Sequence, residues 1–277
     1  MFVAVGIFTV MDATAKYLGR HYPVPGIIWA RFVASLLILL GFLAARGQLR
    51  LVLTARPGLQ FLRGLMLAGA TFMFFTSLTV LPLAEASAIG FVMPLLLALL
   101  AVPMLGERMD LSRLAAVFVG FAGVLLVIRP GSAAFTPYAL LPIGMAVCNA
   151  LYQILTRRVA GVEPALTSLA WGSIVGAVLF SFAAPFYWVT PTNPWHWGLI
   201  GVIGVLATVG HFTLIKAYDY ASASGLAPFF YTQFVWILLV GWIAFGEFPD
   251  GWSLVGIGII VASGLFVIGR HRLAVRR

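Results

Sequence analysis

Charged residues are scarce in this chain of 277 residues, where Asp, Glu, Lys and Arg together make up 9% and hydrophobic residues make up 62%. A soluble globular domain typically carries about 25% charged residues. So little charge cannot cover a surface that faces water, which excludes an ordinary soluble globular protein. A mean hydropathy of +1.06 indicates instead a protein that lies in a lipid bilayer.

Residues that commonly carry chemistry are also rare. The single cysteine, Cys148, cannot form an internal disulfide and has no metal-site spacing. The four histidines are scattered and none begins a His-x-x-x-x-Asp arrangement. The sequence also has no glycine loop of the kind that binds phosphate. These absences argue against a membrane acyl or phosphoryl transferase, and we expect no enzyme activity, no cofactor and no metal.

What the sequence does contain is a succession of apolar runs of about 20 residues, enough for a helix to cross a hydrocarbon core about 30 Å thick. They predict an all-α integral membrane protein with ten transmembrane helices: 2–18, 25–45, 61–80, 83–105, 112–128, 137–156, 164–186, 197–216, 222–245 and 252–269. The connections are too short for a further domain. We expect the first run to be a retained helix, because no basic leader or cleavage site accompanies it.

The sequence contains an internal repeat. Gly106–Glu107 recurs 140 residues later as Gly246–Glu247, and flanking residues repeat at similar shifts. We therefore predict two five-helix repeats, residues 1–131 and 132–277. Because five is odd, the second repeat enters the membrane in the opposite sense. Many secondary transporters use such an inverted repeat to place a substrate site at the midplane. The two repeated glutamates are expected to cap or join helix ends.

The positive charges predict the orientation of the chain. Of the 17 Lys and Arg residues, one set of alternate connections carries 13 and the other set carries 2. The richer set comprises Arg46, Arg50, Arg56, Arg63, Arg108, Arg113, Arg157, Arg158, Lys216, Arg270, Arg272, Arg276 and Arg277. Cytoplasmic connections carry the excess of positive charge, so both termini are predicted to face the cytoplasm. The formal net charge of +9 is explained in this way, without nucleic acid as a partner.

Four charged residues lie in or beside the first membrane spans. Asp12 and Lys16 are one helical turn apart, and they either neutralise each other or form an outer gate with Arg31. An arginine at that depth costs at least about 2.5 kcal/mol if it faces lipid, so Arg31 is expected to face the interior and to bind substrate or to lock the helices together. Glu85 is either a solvated carboxylate near the outer mouth or a proton-coupling acid.

Further candidates for substrate binding or gating are polar and aromatic residues within the spans. They are Thr71, Phe75, Asn149, Tyr152, Gln153, Trp171, His211, Phe230, Tyr231 and Gln233. His211 is either a proton relay or an interhelical hydrogen-bonding group. The rings either enclose a substrate or pack against neighbouring helices. Pro94 and Pro228 are expected to break their helices, and the irregular stretch should either line a cavity or pack on a neighbouring helix.

The passages WARFVASLLILL, LPLAEASAIGFVMPLLLALLAVPMLGE and APFFYTQFVWILLVGWIAFGE make the chain resemble the EamA family of the drug/metabolite transporter superfamily. The likeness covers essentially the whole chain. It implies a ten-helix carrier of the bacterial inner membrane, commonly an exporter, that works without nucleotide hydrolysis. The stretch DATAKYLGRHYPVPGIIWARF is similar to members that handle adenosyl-methionine or other polar metabolites.

These observations predict a secondary transporter of small polar or amphipathic metabolites, amino-acid-like or related, that works by alternating access at a midplane cavity. Its partners would be a small-molecule substrate, the lipid bilayer and protons as coupling ion, and it would be a monomer or a homodimer. An importer of S-adenosylmethionine-like metabolites is the alternative within this class. A passive channel or a membrane enzyme is the alternative from another class.

Overall fold

The computed structural model describes residues 2–105, 111–129, 135–220, 230 and 232–275. Within these ranges the protein is helical and contains no strand. The helices are α1 (Phe2–Gly19), α2 (Val24–Ala45), α3 (Pro57–Ser77), α4 (Leu83–Gly90), α5 (Met93–Leu105), α6 (Leu111–Ile128), α7 (Leu140–Val159), α8 (Ala165–Ser181), α9 (Ala184–Tyr187), α10 (Pro194–Tyr220), α11 (Gln233–Phe245) and α12 (Gly251–Val275).

The helices have the length and composition of membrane helices. Five helical stretches among the described residues are long and apolar enough to cross a bilayer: Phe2–Gly19, Val24–Ala45, Pro57–Ser77, Pro137–Val159 and Pro194–Tyr220. Shorter apolar helices accompany them, and large apolar side chains such as Phe118 and Ile243 are exposed on the outside. A helical bundle with an apolar outer surface is suited to a lipid bilayer, in agreement with the predicted all-α membrane protein.

Prolines mark several helix starts and one helix break. Pro57 is the first residue of α3, where its missing N–H would have no intrahelical partner in any case. The run that begins at Leu83 is interrupted at Phe91 and Val92, and α5 restarts at Met93 with Pro94 in its first turn. The corresponding proline of the second half, Pro228, lies outside the described residues.

Helices α6 and α12 pack closely against each other through glycine. A Cβ built on Gly123 would lie 2.9 Å from the carbonyl oxygen of Gly256, and one on Gly256 would lie 2.7 Å from that of Gly123. The two backbones can approach only because both side chains are absent. Among the described residues, neither helix lines the cavity that Arg31 borders.

The contacts between connections define two ends of the bundle. The Glu247 end contains the connections 20–23, 78–82, 182–193 and 246–250, which meet through contacts such as Lys16 with Glu247 and Tyr22 with His196. The Glu163 end contains the connections 46–56 and 160–164, which meet where Thr54 binds Glu163. The cavity that Arg31 borders lies between these ends.

Candidate functional site

A cavity of about 140 Å³ lies within the bundle and is lined from both halves of the chain. Its lining combines polar groups with phenylalanine rings and methionines: Phe8, Met11, Asp12, Arg31, Leu67, Ala70, Thr71, Phe74, Phe75, Ser87, Gly90, Phe91, Met93, Met145, Asn149, His211, Phe230, Gln233 and Ile237. The break between α4 and α5 borders this cavity through Gly90, Phe91 and Met93. A mostly apolar cavity with a few convergent polar groups has the character of a small-molecule site.

Arg31 is the central cation of this cavity, and its side chain is 2% exposed. Its two terminal nitrogens donate hydrogen bonds to Thr71 Oγ1 at 3.0 Å and to His211 Nε2 at 3.1 Å. The guanidinium also lies 4.6 Å from the ring centroid of Phe32 and 5.9 Å from that of Phe75, which adds cation–π attraction. Its Nε is buried without a hydrogen-bond partner.

His211 connects Arg31 to a second buried arginine. Tyr152 Oη lies 3.4 Å from His211 Nδ1 and accepts a hydrogen bond of 3.2 Å from Arg63. Since an arginine can only donate, Nε2 of His211 is the acceptor and the ring is neutral with its hydrogen on Nδ1. The histidine therefore acts here as an interhelical hydrogen-bonding group, which was one of the two roles predicted for it.

Sequence reasoning did not select Arg63, because it was assigned to a basic connection. The structure places it inside α3 with an exposed fraction of 0%. Besides Tyr152, its guanidinium donates to Thr156 Oγ1, to Gln60 Oε1 and to the carbonyl oxygen of Ser168, at 2.9, 3.2 and 2.6 Å. That expectation was wrong, since α3 begins at Pro57 and Arg63 lies in its second turn, buried in the bundle.

The hydrogen-bonded chain continues from Arg63 to the Glu163 end. Gln60 accepts from Arg63 and donates to Glu163 Oε2, and Glu163 Oε1 accepts from Thr54 and from the backbone amide of Ala55. Burial raises the pKa of the Glu163 carboxyl, but these hydrogen bonds outweigh it and hold the pKa below its usual value. An unbroken polar path thus joins Arg31 in the cavity to the Glu163 end.

Asp12 lines the same cavity as Arg31 and is 9% exposed. Within the part of the chain that the structure describes, no hydrogen bond or salt bridge reaches its carboxylate. It is therefore paired neither with Lys16, one turn away, nor directly with Arg31, as the sequence had suggested. Both oppositely charged groups face the cavity unpaired with each other.

Lys16 instead closes the Glu247 end. Its Nζ lies 2.8 Å from Glu247 Oε2 and 2.9 Å from the carbonyl oxygen of Leu81, and the same Oε2 accepts from the backbone amide of Leu83 at 3.1 Å. Glu247 thereby binds the start of α4 and joins α1 to the end of α11. The predicted joining role of this glutamate is observed, whereas Glu107 lies outside the described residues.

Glu85 lies at the Glu247 end and does not line the cavity. Its Oε1 is 3.5 Å from Ser253 Oγ, and the nearby Arg129 forms a salt bridge of 2.7 Å with Asp250. The amide hydrogen of Ser253 is donated to Asp250 at 2.8 Å. Glu85 is thus part of a polar cluster that holds α12 against α4.

The predicted amide pair lies beside the cavity on α7. Asn149 lines it and accepts a hydrogen bond of 3.3 Å from Gln153 Nε2, while Gln153 Oε1 accepts from the hydroxyl of Tyr218. Gln153 is buried and fixes Asn149 rather than facing the cavity itself. Gln233 and Phe230 line the cavity from the second half.

Two remaining candidates have different outcomes. Trp171 lies away from the cavity and donates from Nε1 to the carbonyl oxygen of Val52 at 2.9 Å, so it ties α8 to the connection 46–56. Tyr231 lies outside the described residues. Apart from Ser87, the lining residues that sequence reasoning did not select are glycine or apolar residues, including Phe8, Met11, Met93 and Met145. No signal distinguished them from lipid-facing residues, because apolar side chains occupy every face of these helices.

Known proteins match the whole chain. The model of the EamA-like transporter family matches twice, at residues 1–129 and 136–269. Three similar relatives are an S-adenosylmethionine uptake transporter of Rickettsia bellii (31% identical, covering 96% of this chain and 91% of the relative), a riboflavin transporter of Brucella anthropi (25%, covering 97% and 96%) and a pseudopaline exporter of Pseudomonas aeruginosa (26%, covering 96% and 93%).

A solved crystal structure shares the fold, with a TM-score of 0.66 over 94% of this chain and 93% of its own at 19% identity. The named relatives are transporters, which confirms the prediction of a membrane transporter rather than an enzyme. On the strength of the double match, the chain belongs to the EamA-like transporter family.

Proposed function

We propose that the protein is a secondary carrier of small polar or amphipathic metabolites that works by alternating access at the Arg31 cavity. The observation that carries this proposal is that one cavity takes its lining from both halves of the chain, with Arg31 and Asp12 from the first and His211 and Gln233 from the second. A site shared by two halves opens to one side or the other when the halves rock against each other.

We further propose ten spans in two inverted five-helix repeats, in the inner membrane, with both termini in the cytoplasm. The alternation of connections between the Glu247 end and the Glu163 end supports this arrangement. The excess of positive charge in the connections of the Glu163 end supports a cytoplasmic location for that end. Helices α6 and α12, which pack on each other through Gly123 and Gly256, would stabilise the outside of the bundle.

The two ends would act as alternate gates. On the outer side the gate is the Lys16–Glu247 pair with the start of α4, at 2.8 and 3.1 Å. On the inner side it is the cluster of Gln60, Arg63 and Glu163. Both clusters connect helices of different halves and both are polar, so water or substrate can replace their hydrogen bonds when a gate opens.

Among substrates, amino-acid-like metabolites are the first class to test. S-adenosylmethionine import is the second candidate, favoured by a relative of that name at 31% identity. The relatives include both uptake and export proteins, so either direction of transport has a precedent.

Protons are the proposed coupling ion. The titratable groups in or near the proposed transport path are Glu85, His211 and Asp12.

The proposal is tested by exchange in proteoliposomes. Vesicles preloaded with unlabelled amino acids, S-adenosylmethionine or riboflavin should accumulate the matching labelled compound transiently and saturably, which a channel cannot do. Arg31→Ala should lose at least about tenfold in exchange, and wild-type rates with unchanged affinity would remove Arg31 from the mechanism. An imposed pH gradient that leaves flux unaltered would contradict proton coupling. No exchange of any compound would contradict the carrier itself.

A further inference from the structure

An acidic and a basic side chain line one cavity with unused hydrogen-bonding capacity. Arg31 has a buried Nε without a partner. The Asp12 carboxylate, among the described residues, has neither a hydrogen bond nor a salt bridge. Both side chains are more than nine-tenths buried, and both belong to the lining. Among the described residues no salt bridge joins the two side chains, so each can take an opposite charge from a ligand.

Such an arrangement is costly without a ligand. A buried charge that lacks a partner loses hydration without compensation. The hydroxyl of Thr71 does not relieve Asp12, because it accepts from Arg31 and donates its hydrogen to the carbonyl of Leu67 at 2.9 Å. Among the described residues, no hydrogen bond reaches Asp12 from the other polar lining residues Ser87, Asn149 and Gln233. The cost is relieved when a ligand supplies a cation to Asp12 and an anion to Arg31.

We propose that the substrate is a zwitterion, whose ammonium group binds Asp12 and whose carboxylate binds Arg31. This inference rests on the proposed carrier function and names the substrate class of that site. A planar guanidinium matches a carboxylate through two parallel N–H donors. A simple amine leaves Arg31 without its anion, and a simple acid leaves Asp12 without its cation, so each is bound more weakly than the molecule that carries both.

The rest of the lining indicates the nature of the substrate's side chain. Phe8, Phe230, Met11, Met93 and Met145 surround the charged pair. Phenylalanine rings and flexible thioethers favour an apolar, sulfur-containing or aromatic group and adapt to its shape. The substrate class is therefore an amphipathic amino acid or a metabolite that carries an amino-acid head group.

The test compares matched ligands on the purified full-length protein. The probes are L-phenylalanine and L-methionine, the amines that lack the carboxylate (phenethylamine and methylthiopropylamine) and the acids that lack the amine (phenylpropanoate and methylthiobutanoate). Binding is measured by equilibrium titration and by the shift of the thermal unfolding midpoint. At least one zwitterion should bind at least tenfold more tightly than its amine and its acid.

Two variants test which side chain binds which charged group of the ligand. Asp12→Asn should abolish the preference for the zwitterion over the acid, and Arg31→Gln should abolish its preference over the amine. Asp219→Asn and Arg46→Gln are the matched controls, since both residues lie outside the cavity, and they should keep the wild-type order. Equal affinity for a zwitterion and its amine or acid would overturn the inference, as would variants that behave like the controls.

Proteoliposome exchange separates this inference from the carrier proposal. If a compound with only one of the two charges exchanges while both zwitterions neither bind nor exchange, the zwitterion inference fails and the carrier stands. If no compound exchanges, the carrier fails.

Discussion

Arg31 on α2 and His211 on α10 are joined by a hydrogen bond of 3.1 Å between the guanidinium and Nε2 of the imidazole. The bond connects the two halves of the chain inside the bundle. On its far side, His211 contacts Tyr152, which accepts from Arg63. A neutral histidine thus separates two buried cations, and protonation would both break the bond and place a third positive charge between them.

We expect His211→Gln to be less damaging than His211→Phe. A glutamine carbonyl can accept from Arg31, whereas phenylalanine leaves the buried guanidinium with one partner fewer, at a cost of about 1–3 kcal/mol. Thermal unfolding in detergent should therefore show a lower midpoint for His211→Phe than for His211→Gln. Equal midpoints would mean that the bond to Arg31 does not stabilise the protein.

Replacement of Arg63 should destabilise its cluster with Gln60 and Glu163 even when the charge is kept. In the wild-type protein the Arg63 guanidinium donates hydrogen bonds to four oxygens, from Gln60, Tyr152, Thr156 and Ser168. The single ammonium group of Arg63→Lys cannot reach all four. We expect a loss of about 3 kcal/mol in the free energy of unfolding, since several buried acceptors lose their donor. Arg50→Lys, at an exposed position on the same end, is the control and should change it by less than about 0.5 kcal/mol.

The sequence predicted the helical architecture better than it predicted the partners of individual charges. Apolar runs of membrane length identify helices on their own, because each helix satisfies its own backbone. The partner of Lys16 could not be read in this way. Asp12 is four residues away in sequence, whereas the observed partner, Glu247, is 231 residues away, and only the packing of α1 against α11 brings it near.

Arg63 and Trp171 illustrate the same limit outside the cavity. Arg63 lies near the predicted start of its span, where a shift of a few residues decides between solvent and core. Trp171 is an aromatic residue in a span, and nothing in the sequence shows that its indole N–H is used by the carbonyl of Val52. Arg31 was predictable because an arginine two turns inside a span needs an interior partner.

Substitution of Gly256 tests the close packing of α12 against α6, and Gly258 in the same helix provides the control. An added Cβ at Gly256 would lie 2.7 Å from the carbonyl oxygen of Gly123, whereas one at Gly258 would meet nothing within 4 Å. Gly256→Ala should lower the free energy of unfolding by about 1–3 kcal/mol through overpacking, and Gly258→Ala should leave it unchanged or raise it by up to about 1 kcal/mol. If both variants unfold alike, the α6–α12 contact is looser than the structure shows.

The stability of the Glu163 end should depend on pH in acid. The pKa of Glu163 lies below its ordinary value of 4.5 because the hydrogen bonds from Thr54 and Gln60 outweigh burial. A carboxyl with a lowered pKa contributes stability that is fully present above that ordinary value and is lost as pH falls through the folded-state pKa. Wild-type protein should therefore lose more of its thermal midpoint than Glu163→Gln between pH 6 and about pH 3. Parallel pH profiles of the two proteins would contradict this.

The Lys16–Glu247 pair should show a coupling energy that a surface pair lacks. The two side chains are 5% and 25% exposed, and the carboxylate is also bound by the amide of Leu83. A double-mutant cycle with Lys16→Met and Glu247→Gln should give a coupling of about 1–3 kcal/mol. Lys216 and Asp219 form an ion pair of similar length, 2.9 Å, with the lysine 44% exposed. The same cycle there should give about 0.5 kcal/mol or less, because solvent screens the pair and the lysine must be immobilised.

Couplings of equal size would mean that the Glu247 end is open to water in solution, and Lys16 would then no longer qualify as a gate residue. A larger coupling at Lys16, together with faster exchange in the Glu247→Gln variant, would identify the pair as a barrier that must break in each transport cycle.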